Sequence, residues 1–328
     1  MITVSKDGHG DFTRIQDAVD AAAAPERILI RPGEYRERII VDRDGLTLAG
    51  EDRDATVIVW NGCAKDLYPD GTEKGTFLSA TVFITGRDVT LENLTVENDA
   101  GDGRAVGQAV AVYAAGDRGV FRNCSLKAHQ DTLFCGPVRL PNTAEAIGGR
   151  TGNAEKCFRV EDGPETHSRL YFEDCLIRGD VDFIFGPYRC WFENCGLFMN
   201  ERGGWYTAAN TNAAQEHGMV FHRCRLTGEC EPGTGYLGRP WRKGARTVFL
   251  ECEMDEHVAP EGFQDWDAER VVTARCGEWR TKGVRANQEP RHPAQKRMTD
   301  EEAGRITTET VLGGADGWRP DLGPTRGK

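Results

Sequence analysis

The chain has 328 residues, of which 39% are hydrophobic, and its 52 acidic residues against 41 Lys and Arg give a net charge of −11. An acidic chain is repelled by nucleic-acid phosphates and by anionic membrane surfaces, so we expect neither as a partner. The sequence contains no apolar run of membrane-spanning length, no Gly-x-Ser-x-Gly motif and no Cys-x-x-Cys pair. These observations argue against a membrane protein, a serine hydrolase with a nucleophile elbow and a zinc site.

Near its amino terminus the chain predicts a helix followed by strands. Residues 11–22 carry apolar side chains at helical spacing behind Asp11, which we expect to be the N-cap. Strands are predicted at 27–30, 38–41 and 46–50, and a polar loop at 61–75. The opening residues, Met1–Asp7, do not resemble a signal peptide. We therefore expect a cytoplasmic protein, or a secreted one if a signal has been removed.

A repeated pattern dominates the chain from residue 89 onward. Alternating apolar residues lead to a polar residue, then Leu or Cys, then another apolar position. The Leu or Cys positions are spaced 30, 51, 20, 29 and 28 residues apart and are Leu94, Cys124, Cys175, Cys195, Cys224 and Cys252. One alternating strand per repeat of this length predicts a parallel β-helix, an all-β solenoid that forms a single domain over residues 1–328. We expect the cysteines to form a buried stack rather than disulfides.

Two stretches interrupt or end the repeat. A long loop is expected at about 135–168, immediately after Asp131, where it could form one side of a cleft. From about Gly277 the strands should stop, leaving a tail at about 277–328. Within this tail we predict a short helix at 298–303, a return onto the solenoid through Trp318 and a loose final ten residues.

Two aspartates have the same position in neighbouring repeats. Asp131 lies seven residues after Cys124 and Asp182 lies seven after Cys175, within the apolar stretch Gly179–Gly186 that predicts a short buried strand. On adjacent coils the two carboxylates would lie roughly 4.8 Å apart. Two such carboxylates cannot both ionise easily, so one should keep its proton and the other lose it. This pairing provides an acid together with a nucleophile or base.

Other polar residues could join this pair, although each also has a structural interpretation. Gln108 and Gln130 could donate to an oxyanion or simply stack as an amide ladder. Arg239 could hold one aspartate ionised or form a surface ion pair. His129 shares the face of Asp131 only if the strand is regular there, so we give it the structural role.

Five motifs in order carry a family resemblance: Gly33–Glu37, Gln108–Val112, Gln130–Leu133, Gly179–Gly186 and Leu237–Trp241. With them the sequence resembles the pectin methylesterase family, and its long insert after Cys135 resembles the bacterial type. The resemblance implies a right-handed parallel β-helix with Asp182 as nucleophile and Asp131 as general acid and later base. It implies that Gln108 and Gln130 form an oxyanion site and that Arg239 keeps Asp182 ionised. It also implies that the sugar is contacted by Trp241, Phe134, Phe185, Val181 and Thr76. Trp205 departs from the small residue that many relatives have.

We therefore expect hydrolysis of the C6 methyl esters of galacturonate units in pectin or methylated oligogalacturonides. The enzyme should be a monomer that needs neither a metal nor a cofactor. The first alternative is a β-helical hydrolase or lyase that cleaves polygalacturonate, which would yield reducing ends or unsaturated products. The second is a carbohydrate-binding β-helix without catalysis, which leaves the paired buried aspartates unexplained.

Overall fold

The computed structural model describes residues 1–136, 169–212, 215–286 and 291–322. Its strands form three long parallel sheets that run along the molecule. The first sheet contains Ile2–Val4, Glu26–Ile30, Leu46–Gly50, Thr90–Glu92, Gly119–Arg122, Arg169–Glu173, Arg189–Glu193, Met219–His222, Arg246–Leu250, Arg275–Trp279 and Gln295–Arg297. The second contains Ile39–Val41, Val82–Ile84, Val112–Ala114, Leu133–Cys135, Ile184–Gly186 and Thr207–Ala209.

The third sheet contains Gly33–Arg36, Thr56–Trp60, Thr95–Asn98, Ser125–Lys127, Leu176–Gly179, Gly196–Met199, Arg225–Gly228 and Glu253–Met254. Gly204–Trp205 and Gly235–Tyr236 form a smaller parallel pair. Since the chain visits the three long sheets in turn and pairs each strand with its equivalent one coil away, the fold is a parallel β-helix. Helices occupy Ile15–Ala21, Gly103–Val106, Ala268–Val271, Asp300–Gly304 and Thr308–Leu312, and 3₁₀ turns occupy Thr76–Leu78 and Pro320–Leu322. In the part of the chain that the structure describes, no helix is long and apolar enough to span a bilayer.

Stacked rows of identical side chains run through the core. The cysteines of the repeat are buried and unpaired, as predicted, and the ten cysteines of the described residues are all free thiols. Their Sγ atoms donate weak hydrogen bonds to backbone carbonyls, as Cys224 does to Phe192 at 3.4 Å. Beside them runs a row of nearly parallel phenyl rings, with centroids 4.4 to 4.8 Å apart, formed by Phe121, Phe172, Phe192, Phe221 and Phe249. The coil spacing therefore sets the core packing.

The amino-terminal helix caps the solenoid, but its own cap differs from the prediction. It spans Ile15–Ala21 and buries Ile15, Ala18 and Val19 against the first coils. The expected N-cap, Asp11, instead accepts a hydrogen bond from the Thr3 amide. The first amides of the helix donate to the Glu37 carboxylate, from Ile15 at 3.0 Å and Gln16 at 3.3 Å. A residue distant in sequence thus satisfies the free N–H groups of this helix end.

The carboxyl-terminal prediction needs correction. Strands do not stop near Gly277, because Arg275–Trp279 and Gln295–Arg297 add two further strands to the first sheet. The predicted short helix spans Asp300–Gly304 with a capping box between Thr299 and Glu302. Trp318 packs back onto the solenoid as predicted, with the guanidinium of Arg169 5.3 Å from its ring.

Two further predictions concern loops and the chain end. No strand or helix occupies 61–75, in agreement with the predicted loop. Of the last ten residues, which were predicted to be loose, the structure describes 319–322, and there Pro320 is buried and its carbonyl accepts a hydrogen bond from Arg122. Residues 323–328 lie outside the described part of the chain. The predicted loop at 135–168 lies outside the described residues from 137 onward.

Candidate active site

Asp131 and Asp182 lie on turns between strands, not in a strand as the stretch Gly179–Gly186 had predicted. Their φ angles are +66° and +51°, in the left-handed region that Asp tolerates better than most residues. The predicted register is confirmed, since Leu133 pairs with Ile184 in the second sheet. The Asp131 amide donates at 3.0 Å to the carbonyl of Val181, the residue that precedes Asp182. The two aspartates therefore occupy equivalent positions on adjacent coils.

Arg239 reaches Asp182 across two coils. Its Nε and Nη2 atoms donate to the two carboxylate oxygens at 2.8 and 2.7 Å, a bidentate pair. The backbone brings it there, because the Arg239 amide donates to the Thr207 carbonyl at 2.9 Å. The preceding Gly238 lies so close that an added Cβ would be 2.0 Å from Thr207 Oγ1. A residue larger than glycine would push the arginine segment away from the site.

Electrostatics distinguish the two acids. Burial, and then the nearby negative charge of Asp182, raise the pKa of Asp131 well above its usual value. Burial raises the pKa of Asp182 as well, but the hydrogen bonds and positive charge of Arg239 oppose that shift. Asp131 is 8% exposed and Asp182 6%, so water screens neither. The arrangement favours a protonated Asp131 beside an ionised Asp182.

Gln130 immediately precedes Asp131, and Gln108 lies on the coil before it. The Ala109 amide, one residue after Gln108, donates to the Gln130 carbonyl at 3.1 Å, so the two glutamines lie near each other on adjacent coils. Gly103, at the start of a short helix, packs so closely on Gln130 that an added Cβ would be 2.7 Å from its Oε1 atom. The backbone thus places both residues on the coil of Asp131 or the one before it. Their role as oxyanion donors stays a prediction.

The sequence model of the family described as Pectinesterase matches residues 1–140 and 162–315. The chain belongs to this pectinesterase family. Pectinesterase 31 of Arabidopsis thaliana is 33% identical to it over 324 residues, which are 95% of this chain and 92% of the relative.

Solved structures of pectinesterases agree. A pectin methylesterase from Erwinia chrysanthemi matches with a TM-score of 0.77 and 30% identity, covering 97% of this chain and 98% of the other. The carrot enzyme matches with a TM-score of 0.78 and 27% identity, covering 96% and 93%. A pectin methylesterase solved in complex with a hexasaccharide matches with a TM-score of 0.77 and 29% identity, covering 97% and 98%. The predicted family, the right-handed parallel β-helix and the carboxylic ester hydrolase class acting on pectin methyl esters are thereby confirmed.

Among the predicted sugar contacts of this pectinesterase, Trp241 combines a partly accessible ring with aromatic neighbours that support it. It is partly buried, and its ring meets Phe185 with centroids 5.9 Å apart. Phe185 in turn packs on Phe134 at 4.8 Å. Phe134, Phe185 and Val181 are only 1%, 3% and 5% exposed, so more exposed groups cover them, and their contact with a sugar stays a prediction.

Phe77, a neighbour of Phe134 in this aromatic cluster, was not predicted to belong to the site. Thr76, another predicted contact, begins a 3₁₀ turn, and the next residue, Phe77, packs on Phe134 with centroids 4.8 Å apart. Phe77 lies at the end of a polar loop in the sequence. No periodic pattern marks it there.

His129 forms a hydrogen bond with a buried carboxylate, and its structural role stays a prediction. Its Nδ1 atom lies 3.0 Å from Oδ2 of Asp180, which is fully buried and also accepts a hydrogen bond from the Val181 amide. The hydrogen bond to Asp180 raises the pKa of His129. Within the described part of the chain, no group of three or more His, Cys, Asp or Glu side chains could hold a metal ion.

Two tryptophans beside Arg239 were not predicted to belong to the site. The guanidinium carbon lies 3.7 Å from the ring centroid of Trp205 and 4.1 Å from that of Trp266. Trp205 stood out in the sequence only as a departure from relatives. Its contact with Arg239 depends on the packing of separate coils, which the sequence pattern does not reveal.

Proposed function

We propose that this chain hydrolyses the C6 methyl esters of galacturonate units in pectin or methylated oligogalacturonides, with Asp182 as nucleophile and Asp131 as acid and base. The observation that carries the proposal is the bidentate hold of Arg239 on Asp182, directly beside a buried acid on the next coil. Membership of the pectinesterase family supports the same reaction. The chemistry needs one carboxylate ionised and the other protonated, which this environment favours.

In the first half-reaction a carboxylate oxygen of Asp182 attacks the ester carbonyl carbon, and the negative charge moves to the carbonyl oxygen. Gln108 and Gln130 would donate N–H groups to that oxygen as it becomes an oxyanion. The bond from the carbonyl carbon to the methoxy oxygen then breaks, and protonated Asp131 gives its proton to the leaving group. Methanol departs, and an anhydride joins the sugar to Asp182.

In the second half-reaction Asp131, now ionised, takes a proton from a water molecule that attacks the anhydride. The bond to Asp182 breaks, which restores its carboxylate and frees the galacturonic acid unit, and this acid then loses its proton to solvent to become galacturonate. Asp131 is again protonated, and the net reaction consumes one water for each methanol. The acidic chain should repel the new anion and favour its release.

Several finer points belong to the same proposal. No step above requires a metal, so we propose a metal-independent enzyme whose rate a chelator leaves unchanged. We also propose a monomer that binds neither nucleic acid nor membranes. The cytoplasmic location and the bacterial subtype stay predictions from the sequence.

Product analysis of the purified chain tests the reaction. Incubation with highly methylated pectin and with methylated oligogalacturonides should release methanol, without new reducing ends or unsaturated sugars. Addition of hydroxylamine should trap the anhydride and label Asp182. Chain cleavage without methanol would support the polygalacturonate hydrolase or lyase instead, and binding without turnover would support the carbohydrate-binding protein.

A further inference from the structure

Arg239 contacts two indole rings in addition to Asp182. The ring centroids of Trp205 and Trp266 lie 3.7 and 4.1 Å from its guanidinium carbon. The guanidinium is planar, and the edge formed by Nε and Nη2 is occupied by the carboxylate. Its faces are therefore the surfaces left for the rings, which is the geometry of a cation–π contact. We call Trp205 and Trp266 the tryptophan clamp.

The clamp is itself held in place by neighbouring coils. Trp205 ends the strand Gly204–Trp205, its ring stacks on Tyr236 at 6.0 Å, and its Nε1 atom donates to Gln264 Oε1 at 2.9 Å. The Gln264 amide donates to the Gly238 carbonyl, next to Arg239, at 3.0 Å. Trp266 follows two residues later and is 36% exposed. The orientation of the Trp205 ring is thus tied to the backbone that carries the arginine, and Trp266 lies two residues beyond the same link.

We propose that Trp205 and Trp266 are positioning residues for ester hydrolysis, which fix the plane of the Arg239 guanidinium so that Asp182 stays aligned for attack. The inference rests on the proposed role of Asp182 as nucleophile. A long arginine side chain that is 20% exposed could otherwise rotate toward solvent or toward the neighbouring Asp131. Indole rings against its faces also exclude water, which strengthens the attraction between the two charges.

Loss of the clamp should change the rate and its pH dependence more than substrate binding. The charged groups that act on the acid pair are Arg239 and the buried Asp180. Burial raises the pKa of Asp182 and Arg239 lowers it. If the pairing with Arg239 weakens, the pKa of Asp182 should therefore rise. Because attack needs ionised Asp182, the acidic limb of kcat/KM should move to higher pH.

Trp266→Leu is the first test, because an exposed ring can be replaced without opening the core. We expect kcat to fall on the order of tenfold, KM to change little, and Trp266→Phe to restore most of the rate. Trp279→Leu is the matched control, since the Arg280 guanidinium lies 4.4 Å from that ring. Methanol release would be measured across pH, with thermal melts to verify folding. Trp205→Leu provides a second variant, and Trp266→Leu decides alone if that variant does not fold.

A second measurement works without turnover. In protein labelled with ¹³C at the aspartate carboxyl groups, NMR should show Asp182 titrating at higher pH in Trp266→Leu than in wild type, with Asp182→Asn providing the assignment. The proposed positioning role of the clamp is overturned if Asp182 titrates at the same pH in both proteins. It is also overturned if only KM rises, which would make Trp266 a sugar contact. If the wild-type chain releases no methanol, the proposed function fails while the titration still decides the clamp.

Discussion

Two regions of this β-helix use the same unusual backbone conformation for different purposes. At one corner of seven successive coils, a polar residue has a φ between +47° and +55°, and the next residue is a buried Leu, Cys or, in the last of these coils, Thr. This corner ladder consists of Asn93, Asn123, Asp174, Asn194, Arg223, Glu251 and, one coil further, Arg280. Asp131 and Asp182 adopt the same left-handed conformation at another edge, where their side chains are buried.

The environment, not the backbone, separates the two regions. In the corner ladder the side chains are exposed or half-buried and pair along the stack, as Asn123 Nδ2 does with Asn93 Oδ1 at 2.9 Å. At the active edge, burial brings two carboxylates together and Arg239 takes one of them. The same tight turn that only ends a strand in the ladder presents a reactive acid at the site. A turn conformation alone therefore does not identify a catalytic residue.

The largest expected difference between the regions is in activity. Asp182→Asn keeps the size and the left-handed conformation but removes the nucleophile, so methanol release should fall roughly a thousandfold or more. Asp174→Asn makes the same change in the corner ladder, where the side chain accepts a hydrogen bond from Asn194. We expect its activity to stay within about twofold of wild type. Full activity in Asp182→Asn would require another nucleophile.

The next effect is on stability and concerns the ladder. Asn123→Val places a β-branched residue at a φ of +47°, and we expect a loss of about 1–3 kcal/mol in the free energy of unfolding. Asn123→Gly, which accepts this conformation, should cost no more than about 0.5 kcal/mol. Urea unfolding measures both variants, and methanol release per folded molecule should not change. Equal stability of the two variants would show that the conformation carries no strain.

The smallest expected effect is the pH-dependent stability of the acid pair. Because the pKa of Asp131 is raised on folding, the folded state binds this proton more tightly than the unfolded state. That stabilisation is complete below the unfolded pKa and is lost as pH rises through the folded pKa. Asp131→Asn stays neutral, so at alkaline pH it should melt on the order of 2 °C higher than wild type.

Melting curves at acidic and alkaline pH provide the comparison. The advantage of Asp131→Asn should shrink toward acidic pH, where the wild-type acid is protonated in both states. Asp174→Asn is the control with an exposed carboxylate. An advantage that did not depend on pH would mean that the burial of a charge is not its cause.

The repeat pattern predicted much of the fold because each coil buries the same kind of residue at the same position. Cys124 and Cys175 set the register from which the stacking of Asp131 and Asp182 followed. At Asp182, by contrast, the buried apolar stretch predicts a strand, whereas the structure has a turn. When both faces of a segment are buried, the segment lacks the alternation of apolar and polar residues by which a strand is recognised.

Contacts between segments distant in sequence could not be predicted in this way. Glu37 caps a helix that begins at Ile15, and no local pattern connects them. The tryptophan clamp likewise joins Trp205 and Trp266 from separate coils around Arg239.

The sequence alone determined that this chain stacks strands into a β-helix and that two acids share one position on neighbouring coils. Periodicity carries that information because side-chain burial repeats with the coil. The family resemblance implied that Arg239 holds Asp182, but only the tertiary structure shows the bidentate pair and how that arginine is positioned. Those outcomes depend on loops that leave the repeat and return to it, and their geometry is set by packing rather than by period.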